Sequence, residues 1–260
     1  MSTKTIQGKL WSIAPQNWSI HFEPYFMPIY RKVLEQVNIT DSTMLLDAGC
    51  GSGLFVSIAD SAGAQVTGID AASGLLDVAR ERNPGITFLE EDLEAMPFAD
   101  NTFDVVTGFN SFQYAGNFEN ALKEAKRVLK PGGKLVMVIW DKPEKSDGTQ
   151  ILKTISTLLP PPPPGTPGPF ALSEDGKVEA VLERIGASNI SKTKVPCPFL
   201  YHSLTNAINS FMGTGPAAAA LNQNPKAVVE GVIADAFEKF YLTDDMYFIM
   251  NSFLLFIAEK

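Results

Sequence analysis

The stretch Leu45-Leu46-Asp47-Ala48-Gly49-Cys50-Gly51-Ser52-Gly53 decides the fold of this chain. A short apolar run leads into three alternating glycines, and an apolar helical pattern follows over residues 54–62. Glycines let the turn be tight and let a ligand approach the backbone, and a helix N-terminus offers free N–H groups and a positive dipole end. The stretch therefore predicts a strand, a turn and a helix. On its own, this stretch is compatible with a binding site for any of several nucleotides, or with a turn that binds no ligand.

Two further acids follow predicted strands. Asp70 ends a strand over 65–70, and Asp92 follows one over 86–90. Strand ends of an open α/β sheet share the edge where such sheets bind ligands. There Asp70 could accept both hydroxyls of a ribose, and Asp92 could accept a hydrogen bond from an adenine amino group. The glycine spacing, G-x-G-x-G with an acid two residues ahead, differs from the dinucleotide fingerprint G-x-G-x-x-G.

Strands and helices alternate over residues 43–140. The patterns predict strands over 43–47, 65–70, 86–90, 104–109 and 134–140, and helices over 54–62, 74–82 and 118–129. The run 135–139 is apolar throughout, which is typical of a strand covered on both faces. This alternation predicts an α/β fold: a doubly wound, mostly parallel Rossmann-like sheet of about seven strands with helical lid elements.

We expect one domain over residues 1–260. Its parts are an N-terminal helical cap (1–40), a ligand-binding core (43–142), a Pro-rich connector (143–172) and a C-terminal part that completes the sheet (173–260), with a helical lid insertion at 203–243. Five consecutive prolines, 160–164, predict a stiff, extended connector. Beyond it we expect a helix over 173–185 capped by Ser173, one strand over 189–201 and one buried strand over 246–258.

Composition excludes several classes of function. The formal net charge is −8, and no basic cluster is present, so a nucleic-acid partner is not expected. Two cysteines are too few for a disulfide framework or a multi-cysteine zinc site, and two histidines are too few for most histidine-based metal sites, so we expect no metal. No apolar run is long enough to span a membrane, and the first nine residues do not resemble a secretory signal. These features predict a cytoplasmic protein.

The ordered motifs resemble those of class I S-adenosylmethionine (SAM)-dependent methyltransferases. They are 47–53 (DAGCGSG), 68–70 (GID), Asp92 before 96–98 (MPF), 103–106 (FDVV) and 129–133 (LKPGG). The branch they resemble is the small-molecule type that includes ubiquinone/menaquinone C-methyltransferase-like enzymes. The resemblance covers residues 43–140 and is weak over both flanks.

The resemblance implies SAM as cofactor, held by ten residues of the turn and the strand ends: Asp47, Ala48, Gly49, Cys50, Gly51, Asp70, Ala71, Asp92, Leu93 and Asn110. The turn would hold the methionine part of SAM, and Asp70 the ribose hydroxyls. Ala71, Asp92 and the backbone of Leu93 would contact adenine. Asn110 would border the sulfonium and its methyl group. The turn's cysteine is interpreted as a small filler and not a reactive thiol.

Methyl transfer from a sulfonium is an in-line displacement, so orientation and exclusion of water can supply most of the catalysis. A base of near-neutral pKa would help to deprotonate the acceptor. His21 is the first candidate because it lies in the aromatic N-terminal segment, which in this family often folds over the active site. Tyr25 and Tyr114 are secondary candidates.

The expected acceptor is a small apolar or aromatic molecule with an O, C or N nucleophile. It would lie beneath a mobile cover made from residues 10–38, 143–172 and 203–243, which are rich in aromatic residues, Met and Pro. The same segments could instead form a homodimer interface. The sequence 109–112 (FNSF) does not resemble the Asn/Asp-Pro-Pro-aromatic motif of enzymes that methylate base amino groups or glutamine.

Three alternatives stay open at this point: a non-catalytic SAM-binding protein on the same fold, an NAD-dependent Rossmann oxidoreductase, and a SAM-dependent enzyme of another reaction type, such as a decarboxylase or cyclase.

Overall fold

A computed structural model describes residues 2–161 and 170–260. The described residues form ten strands: β1 (Met44–Ala48), β2 (Gln65–Asp70), β3 (Thr87–Glu90), β4 (Phe103–Phe109), β5 (Leu129–Trp140), β6 (Ser188–Pro196), β7 (Phe199–Tyr201), β8 (Tyr241–Thr243), β9 (Met246–Ile249) and β10 (Ser252–Glu259).

Seven of these strands form the main sheet, in the order β3-β2-β1-β4-β5-β10-β6. Strands β1 to β5 are parallel to one another, whereas β10 runs antiparallel to both β5 and β6. The predicted mostly parallel, seven-stranded sheet is confirmed. Since the strand order reverses between β1 and β4, the edge beyond these two strands is where such sheets bind ligands.

Helices cover both faces of the main sheet. The described helices are α1 (Lys4–Trp11), α2 (Pro15–Asn17), α3 (Met27–Gln36), α4 (Leu54–Ser61), α5 (Ser73–Arg82), α6 (Phe118–Val128), α7 (Asp147–Ser156), α8 (Lys177–Arg184), α9 (Leu204–Met212), α10 (Gly215–Leu221) and α11 (Lys226–Phe237). Helices α3 and α4 pack with one core cluster, and α6 and α8 with the cluster on the opposite face. Asn117 caps α6, since its Oδ1 accepts a hydrogen bond from the N–H of Asn120 at 3.0 Å.

Two predicted single strands are each divided between two sheets. The predicted strand 189–201 splits into β6 and β7, and 246–258 splits into β9 and β10. The two breaks face each other, since the N–H of Cys197 donates to the carbonyl of Asn251 at 2.8 Å. Strands β7, β9 and β8 then form a separate small sheet. The breaks have local causes: Pro198 lacks an N–H for a strand ladder, and the buried Asn251 Oδ1 accepts from the N–H of Gly148 at 2.8 Å.

The segment after β5 also differs from the prediction. The expected extended connector, 143–172, contains the ten-residue helix α7. After Pro143, the next proline of this segment is Pro160, so residues 147–156 are free to be helical. Prolines 162–164, 167 and 169 lie outside the described residues. Ser173 does not cap a helix: its hydroxyl donates to the carbonyl of Trp140 at 2.7 Å, and α8 begins at Lys177.

The N-terminal cap is helical, as predicted. Between α2 and α3 the chain forms one π-helical turn (Trp18–Phe22) and one 3₁₀ turn (Glu23–Phe26). Phe22 and Phe26 are almost fully buried and contact the ring of Phe199 from β7. Among the described residues, no helix is long and apolar enough to cross a membrane.

Candidate functional site

The glycine turn follows β1, where the sheet order reverses. Gly49 and Gly51 adopt positive φ angles of 81° and 54°, which favour glycine. A Cβ on Gly49 would lie 2.2 Å from the Cβ of Ser111, so a larger residue cannot occupy this position. Ser111 is held in place because its hydroxyl donates to the carbonyl of Ala48 at 2.6 Å.

The N–H groups of this turn are already engaged. Those of Gly49 and Cys50 donate to the carbonyl of Ile69 at 2.7 and 2.9 Å, and that of Gly51 donates to Asp70 Oδ2 at 2.8 Å. The turn is therefore tied to the end of β2. Its own amides at these positions are not free to hold an anion.

Asp70 lies at the end of β2, as predicted. Its Oδ2 accepts from Gly51 and its Oδ1 from the N–H of Ala72 at 2.8 Å. Burial raises the pKa of Asp70, and these N–H donors oppose the rise. Each oxygen keeps a second lone pair, so the fixed carboxylate can still accept from two hydroxyls of a ligand.

A small cleft of about 100 Å³ lies against this carboxylate and the glycine turn. We call it the glycine-turn cleft; it is lined by Gln7, Trp11, Trp18, Gly49, Gly51, Asp70, Ala71, Leu75, Leu93, Phe109, Asn110, Ser111 and Tyr114. Six of the ten predicted cofactor residues are among these lining residues. The other four, Asp47, Ala48, Cys50 and Asp92, are not.

Asp47, Ala48 and Cys50 support the turn from behind. The buried Asp47 Oδ1 accepts from the Thr107 hydroxyl at 2.7 Å, and burial raises the pKa of Asp47 to about 7. Cys50 is buried in a small apolar cluster that includes Phe88. Burial also raises the pKa of the Cys50 thiol well above its usual value, which opposes formation of a reactive thiolate. This agrees with its interpretation as a filler.

Asp92 contacts the N-terminal cap. Its carboxylate accepts from the Ser2 hydroxyl and, at 2.9 Å, from the N–H of Glu94. Next to it, Lys4 Nζ donates to the carbonyl of Glu90 at 2.9 Å. Helix α1 is thus attached at the ends of β3 and lies over the cleft.

A close backbone contact fixes α1 at the end of β2. A Cβ on Gly8 would lie 2.2 Å from the carbonyl oxygen of Ala71, so α1 packs there without any intervening side chain. One turn later, the Ser12 hydroxyl accepts from the N–H of Gly74 at 3.1 Å. The cap therefore closes the cleft on its outer side.

Glu23 is a buried acid that the sequence reasoning missed. It lies in the 3₁₀ turn of the cap, only 2% exposed, and forms a 2.6 Å ion pair with Arg82 Nη1. Its carboxylate also accepts from the Ser52 hydroxyl. Burial raises the pKa of Glu23, while the guanidinium of Arg82 and the N–H of Leu54 oppose the rise.

The position of Glu23 corrects one expectation. The N-terminus of α4, which begins at Leu54, was expected to offer free N–H groups to a ligand, but it faces a carboxylate of the protein's own cap. In a dinucleotide-binding fold this helix end takes the pyrophosphate. A pyrophosphate there would meet the Glu23 carboxylate, so the site does not suit NAD.

Trp18 places a free donor at the cleft. Its Nε1 is buried and has no hydrogen-bond partner among the described residues. The same nitrogen lies 3.3 Å from the position that a Cβ on Gly51 would occupy. A buried donor without a partner is costly. The cleft thus combines a carboxylate, apolar walls and one unpaired donor, which fits a ligand with a ribose, an apolar ring and an acidic group, as SAM has.

A second, larger cavity of about 960 Å³ lies on the far side of Tyr114. We call it the outer cavity; its lining is mostly apolar and comprises Gln7, Leu10, Gln113, Tyr114, Trp140, Pro143, Glu144, Thr149, Gln150, Leu152, Lys153, Ser156, Leu159, Phe170, Gly215, Pro216 and Ala219. These residues come from α1, α7 and α10 and from the segments after β4 and β5. The helix that replaces part of the expected connector thus forms one wall.

The two cavities meet around Tyr114. A void of about 20 Å³ is lined by Trp11, Trp18 and Asn110 from the glycine-turn cleft and by Trp140 and Pro216 from the outer cavity, with Tyr114 shared by all three. Tyr114 and Gln7 thus line both the outer cavity and the cleft, and the aromatic side chains around the void lie between the two.

The predicted bases are placed differently. His21 lies on the π-helical turn but lines none of these three cavities, and burial lowers its pKa. Tyr25 donates its hydroxyl to the carbonyl of Leu200 at 2.6 Å, away from the cleft. Tyr114 lies at the junction, but burial raises its pKa to about 12, so it stays protonated at neutral pH and can donate a hydrogen bond. Within the described residues, no cluster of three or more metal-ligating side chains is present.

Comparisons with known proteins identify a methyltransferase domain in this chain. Residues 46–137 match a family model described as a methyltransferase domain. A sterol 4-C-methyltransferase from Caenorhabditis elegans is 32% identical over 160 residues, which are 58% of this chain and 48% of the relative. A demethylmenaquinone methyltransferase from Renibacterium salmoninarum is 37% identical over 113 residues, 44% of this chain and 48% of the relative. The chain thus spans about half the length of these curated relatives.

A solved structure gives the same picture of the fold. It is a phosphoethanolamine N-methyltransferase from Haemonchus contortus in complex with S-adenosyl-L-methionine, with a TM-score of 0.60 and 19% identity, covering 92% of this chain and 56% of that one. At this identity the likeness shows the shared fold alone. The matched domain and the curated relatives confirm the resemblance drawn from the motifs.

Proposed function

We propose that this chain, whose residues 46–137 match a methyltransferase domain, transfers the methyl group of SAM to a small acceptor that is largely apolar or aromatic. The observation that carries this proposal is the pair of connected cavities. One lies at the motif-bearing strand ends, and the other is large, mostly apolar and reached past Tyr114.

SAM would occupy the glycine-turn cleft. Asp70 would accept the ribose hydroxyls, and the adenine would lie between Ala71 and Leu93. The methionine part would lie along Gly49 and Gly51. In the closed cap Asp92 is bonded to Ser2. If α1 moved, Asp92 would be free to accept from the adenine amino group.

Entry of the cofactor requires the cap to move. The cleft, at about 100 Å³, is smaller than the 300–1,000 Å³ that is usual for ligand pockets. Helix α1, seated on Ala71 through Gly8, closes it. The N-terminal cap would therefore open for SAM and then close to exclude water from the transfer.

The acceptor would occupy the outer cavity. At about 960 Å³ its volume is near the upper end for ligand pockets, which favours a fused-ring or isoprenoid molecule over a small polar one. Two of the similar proteins are a sterol and a demethylmenaquinone methyltransferase by name, and such acceptors are apolar. The protein's formal net charge of −8 disfavours a nucleic acid as acceptor.

Gln113 supplies a polar group in this cavity. Its Nε2 donates to Asn110 Oδ1 at 3.2 Å, whereas its buried Oε1 has no partner among the described residues. That oxygen would accept from a hydroxyl or amino group on the acceptor and orient it. Tyr114 would act as a donor beside it.

When bound, SAM supplies a methyl group that its sulfonium has already activated. The protein's own contribution would be to bind the acceptor, align it through Gln113 and Tyr114, and keep water out with Trp11 and Trp18. We do not assign a general base, because His21 lines neither cavity. The cytoplasmic location and the homodimer stay predictions.

Methyl transfer from radiolabelled SAM to a panel of acceptors tests this proposal. We expect label in a fused-ring sterol or an isoprenoid hydroquinone and none in phosphoethanolamine. Ala219→Trp, which narrows the outer cavity, should lower that transfer roughly five- to a hundredfold. The affinity of this variant for S-adenosylhomocysteine (SAH) should stay within about twofold, as expected for a change away from the cofactor cleft.

Val228→Trp is the matched control, since Val228 is an exposed residue of α11 that does not line the outer cavity. Labelling of phosphoethanolamine alone, or full transfer by Ala219→Trp, would contradict the assignment of the outer cavity.

A further inference from the structure

The indole N–H of Trp18 is a buried donor for which neither the fold nor the transfer chemistry gives a use. It has no hydrogen-bond partner among the described residues, although a buried donor is normally paired. The indole is held firmly: its ring stacks on Phe22 at 4.9 Å and 14°, and Trp11 meets it edge-on at 5.1 Å. A rigidly held, unpaired donor is expected to have an acceptor in one state of the protein.

The backbone around Trp18 fixes where this donor points. Trp18 begins the π-helical turn, an arrangement that is frequent at functional sites. A Cβ on Gly213 would lie 2.4 Å from the backbone nitrogen of Trp18, so the end of α9 packs directly on that turn. On its other side, the indole nitrogen lies 3.3 Å from the Cβ position of Gly51. The donor therefore faces the glycine turn from the cap.

The main-chain donors of the glycine turn are occupied. The N–H groups of Gly49 and Cys50 bond to Ile69, and that of Gly51 bonds to Asp70. The N-terminus of α4 faces Glu23. An anionic group that enters beside the turn thus meets the Trp18 indole N–H, a buried donor that has no partner among the described residues.

We propose that Trp18 Nε1 donates a hydrogen bond to the α-carboxylate of the methionine part of SAM or SAH, which makes it a cofactor-binding residue contributed by the cap. The inference rests on the proposed function, which places the methionine part at Gly49 and Gly51. It adds that cap closure is coupled to the presence of this carboxylate, since the donor belongs to the cap and the rest of the site to the sheet edge.

The test compares two ligands on two variants by calorimetry. The ligands are SAH and its decarboxylated analogue, S-(5′-adenosyl)-3-thiopropylamine, which lacks only the carboxylate. Trp18→Phe keeps an aromatic ring against Phe22 but removes the N–H. Trp11→Phe is the matched control, because Trp11 also lines the cleft but its Nε1 already bonds to Gln7 Oε1 at 3.3 Å.

Removing a hydrogen bond to a charged group lowers affinity by roughly ten- to a hundredfold. We expect Trp18→Phe to weaken SAH binding by that factor and binding of the decarboxylated analogue by less than about twofold. Trp11→Phe should affect both ligands equally.

Equal losses for both ligands in Trp18→Phe would show a packing role and overturn the inference. Unchanged SAH affinity in that variant would also overturn it, while leaving the proposed function intact. Failure of the unmodified protein to bind SAH would instead overturn the proposed function itself, and the inference with it.

Discussion

The sheet edge and the N-terminal cap both line the glycine-turn cleft, but the chain builds them in different ways. At the edge, the glycine turn and Asp70 follow neighbouring parallel strands, and the register of β1 on β2 fixes their positions. In the cap, Trp18 is placed by α9, nearly 200 residues later in the chain, through the close contact at Gly213. The edge is encoded locally, whereas the cap depends on tertiary packing.

This difference indicates which part of the site binds the cofactor and which part controls access to it. The edge is rigid, because its turn is bonded to β2 at three successive N–H groups. The cap is attached at its start by a few surface contacts, such as Lys4 to Glu90 and Ser2 to Asp92. Changes at the edge should therefore alter affinity, and changes that loosen the start of the cap should alter the rates of entry and release.

The largest effect is expected at the edge, from Asp70→Ala. Losing charge-assisted hydrogen bonds to two ribose hydroxyls should weaken SAH binding roughly tenfold to a thousandfold. The fold should persist, so circular dichroism and the cooperativity of unfolding should not change. Asp60→Ala, an exposed acid on α4, is the control for loss of a negative charge. Equal SAH affinity in Asp70→Ala and the unmodified protein would show that the ribose lies elsewhere.

The next effect is expected in the cap, from Gly8→Val. A side chain at this position cannot fit against the carbonyl of Ala71, and overpacking of this kind costs about 1–3 kcal/mol. The closed cap should lose that stability, so SAH should dissociate roughly tenfold faster, as measured by stopped-flow fluorescence. Thr5→Val, at an exposed position of the same helix, should leave the rate unchanged. If SAH dissociates from Gly8→Val as slowly as from the unmodified protein, α1 does not control access to the cleft.

The third effect is the pH dependence of folding stability that arises from Asp47, which supports the glycine turn. The folded protein holds the pKa of Asp47 at about 7, against 3.8 for an unperturbed aspartate, because the group is buried. Folding stability from this group is present in full below about pH 4 and is lost as the pH rises to about 7. In that range the free energy of unfolding falls by about 1.4 kcal/mol per pH unit, because the unfolded state lacks the one proton that Asp47 holds in the folded state. Asp47→Asn should remove this pH dependence from the free energy of unfolding, as measured by urea titrations between pH 5 and 7.5. An identical slope in both proteins would show that Asp47 is ionised in the folded state throughout.

The smallest effect is expected from His21→Gln. Its side chain lines neither cavity, so methyl transfer should change by less than about threefold, as for an ordinary surface substitution. The pH profile of the transfer rate should also keep its shape. A loss of a hundredfold or more would restore His21 as the general base that the sequence suggested.

The contrast between edge and cap also explains what the sequence could predict. Strand ends such as Asp70 and turns such as Gly49 follow from local patterns, since hydrophobic runs and glycine spacing fix them. The breaks at Pro198 and Asn251 were missed because apolar residues stand on both sides of each, and only pairing with other strands separates the two halves. Glu23 was missed because nothing in its neighbourhood shows that Arg82 will face it.

Calorimetric titration of the unmodified protein with SAH and, separately, with NAD tests the central assignment of the glycine-turn cleft most directly. We predict binding of one SAH per chain and no heat from NAD at the same concentrations. At 100 times its dissociation constant, SAH should also stabilise the folded protein by about 2.7 kcal/mol. Binding of NAD, or no binding of SAH at millimolar concentration, would contradict the assignment.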